Sequence, residues 1–526
     1  MASHRRFLPS ARVASAAALA LVALSAPAGV AASRASSAAP VGRFSANLLS
    51  GDTAAFKHSA GSWRGSNASL GVRGGVLTAT ARSSSAMSLA SGTSGRATAA
   101  RPGVTYQAGV QLLSSKSQRI VTPSLVFYDR NGRVVQEAAG SPGPVSARQW
   151  TPTSPVVGIA PTGAVRVLLL LRAQNQTART RLSLHRPWLM ASTPPRTNVV
   201  GPLRVKGNRL YDARGPLVLR GVHRAGFESS RSPYLMNDAD AAQMKRWGAN
   251  IVRVGLSETF WPTNLCGGRE TYAQAVDSTV ASITRRGMVA LLDLHTHALT
   301  PCGENMQHMM ADQGAISFWT SVATRYMGNP LVAFDLYNEP HDISDDVWLN
   351  GGRITEHIPG NPIDITYNAV GMQQLYDTVR ATGATNLVVI SPKGWASWPA
   401  PPGMEVQGTN LMYGFHVYTC PIKDPQNGCS PSTLEVQKKM DRWHWFAKRH
   451  AMLLTEFGYP EPQDGRFMRR VIAHATAQGW GWIAFSWEGF TGGDFGILAS
   501  HDPKKGYQPN GAGMPALASL ALAPRR

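Results

Sequence analysis

Residues 331–341 read Leu-Val-Ala-Phe-Asp-Leu-Tyr-Asn-Glu-Pro-His. The apolar run has the character of a parallel strand buried on both faces. It stops at Asn338-Glu339-Pro340, because proline cannot donate to a sheet ladder. A carboxylate therefore sits beside an amide at the carboxyl end of a strand, which is where α/β barrels carry their chemistry. A second run of the same kind, Leu453-Leu454-Thr455-Glu456-Phe457-Gly458, ends on another glutamate and then a glycine.

Working outward, the spacing predicts eight strands, over 217–222, 250–255, 289–295, 332–338, 387–391, 412–418, 452–456 and 481–487. Helical periods lie between most of them, at 238–247, 272–286, 316–327, 373–382, 434–450 and 466–478, usually followed directly by glycine. The fifth opens on a capping box, Ser432-x-x-Glu435. Eight alternations predict a (β/α)8 TIM barrel over 201–526. A doubly wound open sheet is the alternative, but no G-x-G-x-x-G follows an early strand.

The strand ends of such a barrel meet at one face. They bring His223, Arg253, His295, Asn338, Glu339, His416, Tyr418, Glu456 and Trp487. Taken singly, each has a structural explanation: an arginine paired with a carboxylate, a satisfied core histidine, a packing tryptophan. Together they suit glycoside hydrolysis, in which one carboxyl group protonates the leaving oxygen and a second, ionised, attacks the anomeric carbon or activates water. Arg253 would keep Glu456 ionised, Tyr418 could hydrogen-bond it, and Trp487 would offer a floor for a sugar ring.

Leu219-Arg220-Gly221-Val222-His223, Asn250-Ile251-Val252-Arg253, Asp293-Leu294-His295, Tyr337-Asn338-Glu339-Pro340, His416-Val417-Tyr418, Thr455-Glu456-Phe457-Gly458 and Ser486-Trp487 stand in this order across the second half. In this it resembles glycoside hydrolase family 5, the cellulase family. The resemblance implies Glu339 as acid/base and Glu456 as nucleophile. It places Arg253, His295, Asn338, His416, Tyr418 and Trp487 around the −1 sugar, and it implies no cofactor and no metal for catalysis. His223 and Trp395 are further candidates to line the substrate site. Family members often carry proline where this chain has Gly255, so the loop holding Glu258 and Trp261 is unusual; these two, with Trp395 and Trp398, are candidate cleft residues. The expected reaction is retaining hydrolysis of a β-linked polysaccharide, with endo-β-1,4-glucan the first expectation. Mannan, xylan, other β-glucans and glycolipid glycans are alternatives. The runner-up of another class is a non-catalytic sugar-binding protein. No G-x-S-x-G elbow supports a serine esterase.

The first half reads differently. Residues 44–190 alternate short apolar runs with Gly, Ser and Pro turns and show no helical period, which predicts an all-β sandwich. Asn47-Leu48-Leu49, Pro102-Gly103-Val104-Thr105-Tyr106, Phe127-Tyr128-Asp129 and Trp150 make it look like a jelly-roll carbohydrate-binding module. Trp63, Tyr128, Trp150 and Trp188 are candidate sugar platforms, although core packing explains any one of them. Residues 191–200, with Pro194-Pro195, read as a stiff linker.

Residues 1–32 read as a secretion signal: Arg5, Arg6 and Arg12 precede an alanine-rich apolar stretch too short for a membrane span. Four cysteines, 266, 302, 420 and 429, fit disulfides in an oxidising compartment, with Cys420–Cys429 and Cys266–Cys302 the expected pairs. The net charge of +21 is uneven: residues 41–196 hold 18 basic against 3 acidic side chains, residues 197–526 hold 30 against 28. The first half thus suits an anionic wall polymer as partner. Its dispersed charges and lack of a recognition motif make nucleic acid a poor candidate partner, and none is expected. The expectation is an extracellular monomer.

Overall fold

The computed structural model describes residues 45–521 apart from 117–118, 141, 154, 175, 193–197, 229–234, 267, 299–304, 358–363, 419–432, 460–464, 490–494 and 503–505. The signal stretch, the centre of the linker, Ser432, Cys302, Cys420 and Cys429 lie outside the described residues. Cys266, the one described cysteine, is not a free thiol. No helix among the described residues is long and apolar enough to cross a membrane.

The first part is β-rich, with two antiparallel sheets. One orders Arg64–Ser66, Met87–Ala90, Arg166–Ala173, Arg119–Tyr128 and Val134–Ala139; the other orders Thr151–Pro152, Thr105–Ser114, Arg181–Ser192, Val76–Ala81 and Ala68–Arg73. Strand Val76–Ala81 shows the period of two, with Leu77, Ala79 and Ala81 buried and their neighbours half-buried. Trp63 belongs to this core and is no platform: it is 1% exposed and its indole N–H donates to the Thr53 carbonyl. Trp150 stands at the surface, its ring 5.4 Å from that of His185.

The second part is a closed barrel of eight parallel strands: β1 Arg220–Arg224, β2 Ile251–Ser257, β3 Val289–Ala298, β4 Val332–Asp335, β5 Val388–Ile390, β6 Leu411–Val417, β7 Met452–Phe457 and β8 Gly481–Ala484. β2 pairs with both β1 and β3, and β1 with β8, which closes the ring. Around it run α1 Asp238–Trp247, α2 Tyr272–Thr284, α3 Gly314–Tyr326, α4 Met372–Ala381, α5 Thr433–Asp441, α6 Arg466–Gln478 and α7 Met514–Ala521. α5 stops at Asp441, nine residues short of the sequence expectation; a turn and a short 3-10 segment at Phe446–Lys448 follow.

Alternate strand residues divide into two cores. Leu219, Ile251, Val289, Leu291, Ala333, Val389, Met412, Leu453 and Ile483 form the cluster inside the barrel, closed at its amino end by Leu203 and by Leu210 and Leu217 of the small three-stranded sheet that follows it. Val222, Val252, Val254, Leu292, Phe334 and Leu454 belong to the larger cluster shared with the helices. The strands pack closely enough that a Cβ on Gly221 would stand 1.8 Å from the Ile251 carbonyl oxygen.

Two features were not anticipated. A hairpin, Gly352–Glu356 with Ile365–Ala369, is inserted between β4 and α4. α7 lies against the sandwich strand Val156–Ile159 on one side and α1 and α6 on the other, and the Val157 N–H donates to Met514 Sδ at 3.3 Å. Residues 39–526 form one compact unit. Sandwich and barrel are therefore expected to unfold together, in a single calorimetric transition. Leu517 is 1% exposed; Leu517→Asp buries an unpaired charge and should lower that transition as a whole. Two transitions, with the substitution shifting only one, would refute the coupling.

Candidate active site

The interior parity of each strand, carried past the apolar layer, decides which side chains reach the carboxyl end. Leu219 inside puts His223 inside; Ile251 does the same for Arg253 and Gly255, Leu291 for Asp293 and His295, Ala333 for Asp335, and Met412 for His416. β7 breaks the rule. There Phe415 pairs with Leu454 and His416 with Glu456, so Thr455 is passed over as a bulge and Glu456 comes level with His416. β4 ends at Asp335, and the chain then turns so that Glu339 has φ 48°, a left-handed conformation uncommon outside glycine. Gln307 holds it there, its side-chain N–H groups donating to the carbonyls of Asn338 at 2.8 Å and Glu339 at 2.9 Å.

Arg253 is wholly buried and spends its donors on four oxygen-bearing partners, with His223 Nδ1 3.3 Å from Nη1 as a fifth neighbour. Nε donates to Asp335 at 2.9 Å, Nη2 to Asp293 at 2.9 Å and to the Asn338 side-chain oxygen at 2.9 Å, and Nη1 to Glu456 Oε1. The Tyr418 hydroxyl donates to the other Glu456 oxygen at 2.7 Å. His416 Nδ1 lies 2.6 Å from Glu339 Oε1 and 3.6 Å from Glu456 Oε2. One oxygen of each carboxylate and a ring nitrogen of His416 all lie within 4.8 Å of one another. His295 completes the wall, its Nδ1 2.6 Å from Asp293 and 4.0 Å from Glu456.

Burial opposes charge on Glu456, but His416, Arg253, His295 and His223 overrule it and hold the carboxyl well below the usual carboxylate range. Burial also opposes charge on His295, and Asp293 outweighs it, pushing the imidazole up to about 9. Asp335 is pushed up to about 7 by burial, against the pull of Arg253. The environment thus keeps Glu456 ionised and puts cations around it.

Glu339, Glu456, Arg253, Asn338, His295, His416 and Tyr418 come together as the sequence predicted. Trp395 joins them at the rim, 48% exposed and stacked on His341 at 3.7 Å. Three expectations need correction. Trp487 is fully buried, its indole N–H donating to Asp240 at 3.2 Å and its ring against Trp247, so it cannot floor a sugar. The strand ends at Ala484, and the aromatic in step with interior Ile483 is Phe485, whose ring contacts those of His223 and Tyr418. His223 is likewise fully buried, against the rings of Phe485 and His295, and stands level with Arg253 on the neighbouring strand, its Nδ1 3.3 Å from Arg253 Nη1. Trp261 is a packing residue, bonded to Ser321.

Gly255 also has an explanation. A Cβ there would stand 2.3 Å from Glu228 Oε1, and Glu228 is the buried partner of His223 at 3.3 Å. Asp293, Asp335, Gln307, Glu228 and Phe485 were missed. Strand parity pointed to the two aspartates; nothing in the sequence pointed to Gln307, because a contact across the loops places it.

A closed (β/α)8 barrel with paired carboxylates at its carboxyl end is the architecture of a barrel glycosidase. The cellulase family, glycosyl hydrolase family 5, matches residues 216–491, and the chain belongs to that family. It is 27% identical over 198 residues to the manganese dependent endoglucanase Eg5A of Phanerodontia chrysosporium, covering 37% of this chain and 44% of that protein. It is 25% identical over 235 residues to endoglucanase E-5 of Thermobifida fusca, covering 43% and 44%. The chain thus spans less than half the length of these curated relatives. A solved endocellulase of Pyrococcus horikoshii is 17% identical and covers 62% of this chain and 99% of its own, with a TM-score of 0.47.

The raised His295 value gives a signed prediction. Its ordinary value is about 6.5, so its contribution to stability is complete below about pH 6.5 and is lost as pH rises through about 9. The urea midpoint should fall between pH 7 and 9.5, and His295→Asn should remove most of that slope. An unchanged slope in the variant would show that His295 is neutral throughout.

Proposed function

We propose that this protein is a secreted, monomeric retaining glycoside hydrolase acting on β-linked polysaccharide, and that endo-β-1,4-glucan is its substrate. The observation that carries the reading is the short approach of Glu339 to Glu456, within 4.8 Å between nearest oxygens. Retaining enzymes set their carboxyl groups about 5–5.5 Å apart, whereas inverting ones leave about 6.5–9.5 Å for a water. Glu339 gives its proton to the glycosidic oxygen while ionised Glu456 attacks the anomeric carbon, and the aglycone leaves. Water then attacks the glycosyl-enzyme, surrendering a proton to Glu339, and Glu456 is released as the carboxylate. Asn338, held by Arg253, is positioned to bond the sugar's 2-hydroxyl, and Phe485 with Trp395 supplies ring surface. The endoglucanase relatives favour glucan over mannan, xylan or the other β-glycans.

The test is hydrolysis of a panel of neutral and charged polysaccharides, with the first-formed anomer read by proton NMR. Glu339→Gln and Glu456→Gln should each lower kcat at least about 100-fold, and the product should appear first as the β anomer. Phe485→Ala should damage kcat/KM in a folded protein. Trp487→Ala should cost about 3–5 kcal/mol of stability and leave the activity of the folded fraction intact. An α anomer formed first, or full activity in either glutamine variant, would overturn the reading.

We further propose that the β-rich part is a polysaccharide-binding module that holds the enzyme on an anionic wall polymer. Its excess of basic over acidic side chains supports this. Pull-down of the full chain carrying Glu339→Gln should weaken steeply as salt is raised. Salt-independent binding would refute the electrostatic attachment.

A further inference from the structure

A second polar cluster lies beyond the catalytic one. Glu258 follows β2, His297 stands near the end of β3, and His308 and Asp312 precede α3. Donor atoms of His297, His308 and Asp312 all lie within 4.8 Å of one another, and the two imidazole rings are 4.4 Å apart. Each ring presents Nδ1 to a carboxylate. His297 Nδ1 is 3.0 Å from Glu258 Oε1, and His308 Nδ1 bonds Glu356 Oε1. Glu356 is fixed in turn through its other oxygen, which accepts from the Met309 N–H at 2.8 Å and the Tyr367 hydroxyl at 3.3 Å. A carboxylate on Nδ1 of His308 sets its tautomer and leaves Nε2 with its lone pair, which is how ligating histidines are commonly held; His297 Nδ1, besides meeting Glu258, faces Asp312 Oδ2 at 4.0 Å.

An independent observation marks the same spot. Glu258, its side chain 8% exposed, has an Oε2 that is buried and without a hydrogen-bond partner. It is set beside Asp312: a Cβ on Gly314 would contact Asp312 Oδ1 and Glu258 Cδ together. Two carboxylates side by side with an unsatisfied buried oxygen are costly unless a cation joins them.

We propose that His297, His308 and Asp312 bind a divalent transition-metal cation, with Glu258 and Glu356 as the carboxylates that orient and charge-balance them. Two imidazoles and a carboxylate suit Zn2+ or Mn2+ and disfavour Ca2+, which prefers an all-oxygen shell. No step of hydrolysis needs this ion. Its place in the fold gives it a supporting role. The Tyr337 hydroxyl donates to the His308 carbonyl at 2.9 Å, the His341 N–H to the Met309 carbonyl at 3.0 Å, and Gln307 braces Asn338 and Glu339. A cation there pins the segment that holds Glu339 in its left-handed conformation.

The test uses the full chain, prepared without chelator, assayed for metal content, stripped with EDTA, and titrated calorimetrically with ZnCl2, MnCl2 and CaCl2. About one transition-metal ion per chain is expected, with weak or no Ca2+ binding. Stripping should lower Tm by a few degrees and re-addition should restore it. Asp312→Asn and His308→Ala should abolish stoichiometric binding, and Glu356→Gln should weaken it about 10–100-fold. His474→Ala, in the separate Asp441–His444–His474 cluster, should change nothing. If His308→Ala fails to fold, as judged by circular dichroism, the near-isosteric Asp312→Asn decides. Absence of binding by the stripped wild type, wild-type affinity in folded Asp312→Asn, or loss of binding in His474→Ala would each overturn the proposal.

Discussion

The carboxyl end of the barrel depends on one buried guanidinium. Arg253, fully enclosed on β2, reaches Asp293 on β3, Asp335 on β4, Asn338 just beyond β4 and Glu456 on β7. Arginine suits this place because its planar fork offers five donors and it stays charged. Taking a carboxylate out of water costs several kcal/mol unless a counter-charge with good geometry accompanies it. Without Arg253, three acidic side chains would be left in a near-waterless cavity. The same contacts that make the cavity tolerable also hold Glu456 as an anion and fix the Asn338 side chain. Stability and chemistry rest on the same interaction, so the position cannot be relaxed for one without loss to the other.

Much of this was legible because a parallel barrel imposes a period of two on every strand. Once the apolar layer is assigned to the interior, His223, Arg253, Asp293, His295, Asp335 and His416 follow. What was not legible lies where that period fails. Glu456 faces its partner only because the bulge at Thr455 shifts the register; strict alternation would have turned it outward. Trp487 was expected inside because its aromatic size suits a sugar floor, yet the strand had already ended and the ring beside His223 and Tyr418 is that of Phe485. Gln307 and the hairpin carrying Glu356 and Tyr367 sit in loops that adjacency in sequence does not connect to the site.

The join between sandwich and barrel was missed for another reason. Met514–Ala521 reads Met-Pro-Ala-Leu-Ala-Ser-Leu-Ala, with no charged residue on any side. A helix that is apolar all round must be covered all round, and the barrel's own α1 and α6 cover only part of this one. The strand Val156–Ile159 covers more, through contacts that include Val157 with Met514. The signal was present in the composition of the helix. The two-domain reading, guided by the prolines at 194–195, gave that helix no second partner.

The two central glutamates have the same chemistry and opposite surroundings, which is what the proposed division of roles needs. Glu456 has a donor on each oxygen, Arg253 on one and Tyr418 on the other, with His295 a further cation nearby. Each of these contacts favours the anion. Glu339 meets His416 through Oε1 alone; its other oxygen has no partner among the described residues, and its side chain is 17% exposed. A group that must pick up and release a proton within one cycle needs an oxygen free to face the leaving group and then a water. A group that must attack carbon needs to be ionised, fixed and shielded from solvent. His416, whose Nδ1 is 2.6 Å from one carboxylate and 3.6 Å from the other, stands between them and favours charge on Glu456. Under the proposed mechanism, the environment separates an acid from a nucleophile where the side chains themselves do not.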